Sequence, residues 1–226
     1  MKKFFTLIAA VAMAASMNAQ TLSFDTNYDK GQVPATISAN GLVLTVVDTG
    51  NKMSVDENSQ YFGTADSYKK FDKRLKSGGK SSSKNNLTLT LPSDGTLKVY
   101  ARTGSSSATD RNVILTQDGT ELINKIVLES EAVTVGMVGD DGNAKDTKVF
   151  PVISVPVKKG DVAITYPVNS INFYGFEFVA AGTTGISDIQ APKSSKDGAT
   201  FNLLGQKVAN DAKGIVIKNG KKFINK

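Results

Sequence analysis

The stretch NLTLTLPSDGTLKVYAR, residues 86–102, carries the information that decides the fold class. Leu87, Leu89 and Leu91 alternate with Thr88 and Thr90, the period of two that sends one row of side chains to a core and the other to water. Pro92-Ser93-Asp94-Gly95 then supplies turn chemistry: proline pre-sets φ, aspartate bonds its own backbone, and glycine tolerates any φ. Past the turn, Leu97, Val99 and Ala101 share one face of a second strand, so the two strands are expected to pair as a β-hairpin.

The same pattern recurs on both sides. NVILTQDGTELINKIVL (112–128) reads as a hairpin around Asp118-Gly119, a dipeptide that accepts positive φ. KVFPVISVPV (148–157), VAITY (162–166) and INFYGFEFV (171–179) follow as strands, with Pro151 and Pro156 suited to an edge or a bulge because neither donates to a ladder. Upstream, TLSFD (21–25), ATISANGLVLTVVD (35–48) and KMSV (52–55) add more. The nearest approach to a helix, Glu129–Val138, is undercut by its valines and Gly136. About ten short strands with regular turns predict an all-β chain, a single β-sandwich or jelly roll over residues 20–180.

The two ends read differently. MKKFFTLIAAVAMAASMNA (1–19) has Lys2 and Lys3, an apolar run from Phe4 to Ala15 and a small-residue cut site, the layout of a secretory signal peptide. Its apolar core of about a dozen residues is shorter than the roughly twenty a spanning helix needs. No cysteine follows it for lipid attachment. The mature chain is therefore expected to be secreted or displayed at the cell surface, with no membrane span. Residues 181–197, rich in small and polar side chains, read as a linker, and 198–226 as a short C-terminal β-meander of three strands.

Composition narrows the chemistry. Removal of Lys2 and Lys3 with the leader leaves 25 basic against 21 acidic residues, too mild an excess for a nucleic-acid footprint. Zero histidines remove the commonest general base together with Ser-His and Cys-His nucleophile pairs, and zero cysteines remove any disulfide framework. No catalytic residue and no cofactor is predicted. Ser81-x-x-Lys84 and Ser67-x-x-Lys70 both match a penicillin-recognising pattern, but neither serine opens a helix. Asp140, Asp141, Asn143 and Asp146 offer oxygen ligands without calcium-loop spacing, so a solvated turn is expected and no metal is assigned.

The most suggestive stretch is KKFDKRLKSGGKSSSKNN (69–86). From Lys69 to Lys84 it holds seven cations and one acid, Asp72, and it reads as a solvated loop or as the edge of an acidic-glycan cleft. A glycan site would use Lys73, Arg74 and Lys76 from this stretch, with Arg102 and the rings of Tyr100 and Tyr174. Tyr61 and Tyr68 are further candidates for sugar stacking.

The tail, FNLLGQKV…KGIVIKNGKKFINK, resembles the C-terminal sorting domain of the type IX secretion system of Bacteroidota. Leu203 to Val208 stand at that family's turn, and Gly214 to Ile217 at its following strand. The resemblance implies that the secretion machinery is a partner of the tail. Arg74 to Gly79, Thr96 to Arg102, Arg111 to Leu115 and Ile171 to Phe178 resemble the non-catalytic β-sandwich, carbohydrate-binding-like modules that accompany secreted polysaccharide lyases. The expected function is non-enzymatic binding of an extracellular, acidic polysaccharide. The alternative is a surface structural or adhesion protein with no small-molecule site, and a lyase with a Lys, Arg or Tyr base stands third.

Overall fold

A computed structural model describes residues 19–25, 31–138, 142–181, 200–202, 207–209, 213–218 and 221–225. The leader up to residue 18, the linker from residue 182, and Asp140 and Asp141 of the calcium reading lie outside the described residues. The chain divides into two compact units, Met1–Thr183 and Thr184–Lys226.

The described part of the first unit is β-structure with one 3-10 turn, Glu129–Glu131. In chain order its strands are β1 (Ala19–Ser23), β2 (Gly31–Gln32), β3 (Thr36–Ala39), β4 (Leu42–Asp48) and β5 (Ser54–Gly63). Next come β6 (Tyr68–Lys76), β7 (Asn85–Leu91), β8 (Gly95–Thr103), β9 (Asn112–Gln117) and β10 (Thr120–Ile126). The last five are β11 (Val133–Val138), β12 (Ala144–Phe150), β13 (Ile153–Val157), β14 (Gly160–Thr165) and β15 (Ile171–Ala180).

These strands form two sheets. One runs β11-β12-β5-β6-β15-β8-β13, with β1 added to β15 and β2 to β5; the other runs β10-β9-β14-β7-β4-β3. The core between them joins Leu44, Leu87, Leu89, Leu115, Val162 and Ile164 of the second sheet to Leu97, Val99, Phe173, Phe176 and Phe178 of the first. The chain is an all-β sandwich, and full burial of each such side chain contributes about 1.5–3 kcal/mol. The Asp118-Gly119 turn meets its chemistry as read (φ 50° and 75°) and joins β9 to β10; Asn40-Gly41 (φ 52° and 83°) joins β3 to β4 in the same way. Pro156 lies in β13, which ends its sheet and pairs only with β8 among the described strands.

Residues 86–102 correct the hairpin expectation. β7 pairs with β4 and β14, whereas β8 pairs with β15 and β13 in the other sheet. The Pro92–Gly95 turn carries the chain across the sandwich. Alternation sends Leu87, Leu89 and Leu91 and then Leu97, Val99 and Ala101 into one core from opposite sides. A period of two specifies which face is buried, not which strand is the neighbour.

The loop reading of residues 69–76 is also corrected, because they form β6, an interior strand between β5 and β15. Lysine stems lie along a sheet as readily as in water, so charge conceals the strand. A register irregularity between Glu57 and Gln60 breaks the period opposite β6. There Asp25 Oδ1 accepts the N–H groups of Asp72 and Lys73, each at 2.8 Å.

The second unit contains β16 (Thr200–Asn202), β17 (Lys207–Val208), β18 (Gly214–Lys218) and β19 (Lys221–Asn225), in the order β17-β16-β18-β19. That is one strand more than read from the tail, since Lys207-Val208 turns back onto Thr200-Phe201.

Candidate functional site

Five of the six residues singled out from sequence meet on the outer face of the nine-stranded sheet. Alternation along β8 turns Leu97, Val99 and Ala101 into the core, leaving Lys98, Tyr100 and Arg102 on the other side. In β15 the register shifts between Phe173 and Gly175, so Phe173 joins the core and Tyr174 the outer face. Tyr100, Tyr174, Phe62, Phe71 and Phe150 pack there as a second cluster, with ring centroids 5.0 Å apart for Phe62–Tyr174 and 4.7 Å for Phe71–Tyr100. Gly175 makes this possible: a Cβ there would meet Phe71 and the Leu22 carbonyl at 2.9 Å each.

Charged side chains close over the rings, and each is tied within the protein. Arg74 forks onto Asp56 (2.7 and 3.2 Å), and Lys76 lies 3.6 Å from the same carboxylate. Arg102 forks onto Glu129 (2.9 and 3.0 Å), with its guanidinium 4.8 Å from the centre of the Phe150 ring. Lys148 adds a second cation to Glu129 at 3.1 Å. Glu177 accepts from Lys98 (2.8 Å) and the Tyr100 hydroxyl (3.0 Å), and the Tyr174 hydroxyl donates to Asn58 (2.6 Å). Lys73, the sixth residue, stands opposite Glu57 in the β5–β6 register.

The electrostatics follow from this packing. Burial works against the charge on Glu177, but hydrogen bonds from Lys98 and Tyr100 outweigh it and hold the carboxyl below its ordinary value. Glu129 behaves alike, with burial overcome by Arg102 and Lys148. Burial pushes the Tyr174 hydroxyl up despite the nearby guanidiniums of Arg74 and Arg102. Burial, assisted by Glu177, does the same to Tyr100. Both tyrosine rings are buried, at 4% and 0% exposure, and present no open face to a sugar. Both guanidinium forks are filled, so a ligand carboxylate arriving here would have to displace Asp56 or Glu129.

An open site lies further along the same strands. Tyr61 of β5 and Tyr68 of β6 meet edge to face, centroids 5.8 Å apart, and Tyr68 is 43% exposed. Beside them the β11–β12 hairpin and β5–β6 enclose a cleft of about 390 Å³ lined by Gln60, Tyr61, Lys70, Lys145, Asp146 and Thr147, among others. Amide, hydroxyl, carboxylate and ammonium groups next to an aromatic pair match what a hydroxyl-rich ring requires. Lys70 contacts Asp72 at 2.8 Å, and hydrogen bonds from Lys70 and Ser59 lower the Asp72 carboxyl. Sequence offered one signal for this place: Tyr61 and Tyr68 flank GTADS, a polar turn that leaves rings uncovered. Among the described residues no group of three acidic, histidine or cysteine side chains is arranged to hold a metal ion.

No family model matches the chain, and no curated protein matches it. Solved structures similar to it include a chain from "The complexity of the Ruminococcus flavefaciens cellulosome reflects an expansion in glycan recognition". That similarity has a TM-score of 0.35 and 14% identity, over 72% of this chain and 93% of that one. Another is the isomalto-dextranase of Arthrobacter globiformis T6 complexed with panose, at a TM-score of 0.29 and 8% identity. There the match covers 71% of this chain and 32% of the dextranase chain.

Proposed function

We propose that the protein is an exported, non-catalytic polysaccharide-binding protein whose ligand lies across the Tyr61–Tyr68 pair and the adjoining cleft. The observation that carries this reading is an aromatic pair, Tyr68 exposed and Tyr61 half-buried, beside a polar cleft, while the rings of the second outer-face cluster are sealed. Stacking on a tyrosine face anchors a sugar ring, and the polar lining orients its hydroxyls. Affinity electrophoresis through gels of neutral and acidic polysaccharides tests it. Wild-type protein is retarded by at least one gel, and Tyr61→Ala or Tyr68→Ala weakens retention about tenfold, the equivalent of one lost anchor. Unretarded wild-type protein in every gel overturns the reading.

Export is part of the same proposal. β1 begins at Ala19 and pairs through Gln20 with Phe178, so cleavage after Ala19 would leave the strand nearly whole. Mature protein is expected to begin at Gln20, which N-terminal sequencing checks. The tail is proposed to serve as the sorting signal of a Bacteroidota secretion machinery. A second reading, a surface structural protein without a small-molecule site, is favoured by the internal pairing of Arg74, Arg102, Tyr100 and Tyr174.

A further inference from the structure

The cations of the basic stretch do not stay together. β6 carries Lys69 and Lys70 near one end, whereas Lys80 and Lys84 fall beyond the other, roughly 25–30 Å away at about 3.3 Å per residue. At that far end they meet Lys52. Lys52, Lys80 and Lys84 line a pocket of about 240 Å³ together with Asp48, Gly50, Gly79 and Ser82.

The pocket is built from two loops fastened to each other. Thr49 N–H donates to the Lys84 carbonyl at 3.0 Å. Gly78, at φ 66°, lies so close to Lys52 that a Cβ would collide with its carbonyl. Asn85 donates to the Ser77 carbonyl (2.8 Å) while accepting from the buried Tyr166 hydroxyl (2.6 Å). Ser82 and Asn85 exchange backbone hydrogen bonds at 2.8 and 3.1 Å. Asp48, the acid in the lining, accepts the N–H groups of Lys52 and Met53 at 2.8 Å each. Ser82 Oγ accepts Lys84 N–H at 3.2 Å, so its own hydrogen points elsewhere and can donate.

We infer that Lys52, Lys80 and Lys84, with the Ser82 hydroxyl, form a binding pocket for a single oxyanion group. Three lysines line one cavity, where their charges raise the local positive potential, and Asp48 is the one acidic residue among its described lining residues. Lysine suits a compact oxyanion because it acts as a point charge, without needing the planar geometry of a guanidinium fork. The volume is ample for one sulfate, phosphate or carboxylate group. The shared chemistry belongs both to a free inorganic anion and to a sulfate ester on a polysaccharide. In the latter case the inference deepens the proposed function by assigning an acidic ligand.

Two probes separate these sources. Sodium sulfate added to the full chain at constant ionic strength is expected to shift the amide signals of Gly79 and Ser82 saturably in a nitrogen-15 spectrum. Dextran sulfate is expected to bind and to be displaced by sodium sulfate; failure of that competition assigns the pocket to a free anion. Lys80→Gln/Lys84→Gln weakens both probes about tenfold, against about twofold for the charge-matched Lys158→Gln/Lys159→Gln control. Equal losses in the two double variants, or no saturable shift at Gly79 and Ser82, overturn the inference. Tyr61→Ala leaves sulfate binding unchanged, and Lys80→Gln/Lys84→Gln leaves retention by a neutral polysaccharide unchanged, so the two sites fail independently.

Discussion

Phe176 and Phe62 belong to the same nine-stranded sheet and are both buried, but on opposite faces and by different means. Phe176 sits among Leu, Val, Ile and Phe side chains from both sheets, where the Tyr166 hydroxyl is paired with Asn85 and no charged side chain enters the cluster. Phe62 sits among Phe71, Tyr100, Phe150 and Tyr174, with Ala132 and Val152 against the cluster. Around it Arg74, Arg102, Glu129 and Glu177 are paired. The inner face is sealed by a second sheet and the outer face by ion pairs and one 3-10 turn. A sheet can thus be buried on both sides without a third layer, provided every charge laid over the rings has its partner.

The comparison is broken most directly by truncating each ring. Phe176→Ala and Phe62→Ala are both expected to cost about 3–5 kcal/mol in urea unfolding. A cost below about 1 kcal/mol at Phe62 would make the outer cluster an ordinary surface. Next in size is Arg102→Met, which leaves Glu129 with Lys148 alone. The expected loss is about 1–3 kcal/mol, less than for a fully buried pair because the Arg102 side chain is 19% exposed. Arg102→Lys restores the charge but not the fork, and recovers only part of the loss.

Acid sharpens the contrast further, since only the outer face titrates. Glu129 and Glu177 have folded-state pKa values below the ordinary 4.5. Their contribution is therefore fully present above pH 4.5 and is lost as pH falls through the lower, folded-state values. The urea midpoint is expected to fall across that window, and to fall less in Glu129→Gln. The smallest effect is reserved for Tyr174→Phe, which removes the hydrogen bond to Asn58 and costs about 0.5–1.5 kcal/mol.

The inner face was legible in the sequence because alternation at Leu87, Leu89, Leu91, Leu97, Val99 and Ala101 states it outright. Pairing was not legible: the same alternation serves a hairpin and a turn that crosses between sheets. β5 beyond Val55, and all of β6, were hidden for another reason. Their buried positions, Phe62, Phe71 and Leu75, are diluted by polar neighbours and thrown out of period near Glu57–Gln60. Arg74, Arg102, Tyr100 and Tyr174 were found as a group because their residue types are costly to leave idle. Their internal partners, Asp56 and Glu129, come from distant segments that no local pattern connects to them.

Among the described strands, the pairing of β12 with β5 is the one parallel ladder, and it is two residues long: Val149 with Tyr61 and Phe150 with Phe62. The β11–β12 hairpin is held within itself by six residue pairs and closes with little loss of chain entropy. Its attachment to β5 must wait for partners about ninety residues earlier in the chain, a late and slow kind of contact. β11 and β12 are therefore expected to open together before the sandwich does, and their amides to exchange with solvent deuterium sooner than those of β8 or β15. The tyrosine cleft exists only while the hairpin is docked, because its walls come from both sides of that short ladder. A bound saccharide would act as a clamp on the hairpin, and slowed exchange at Met137 and Thr147 would register its arrival.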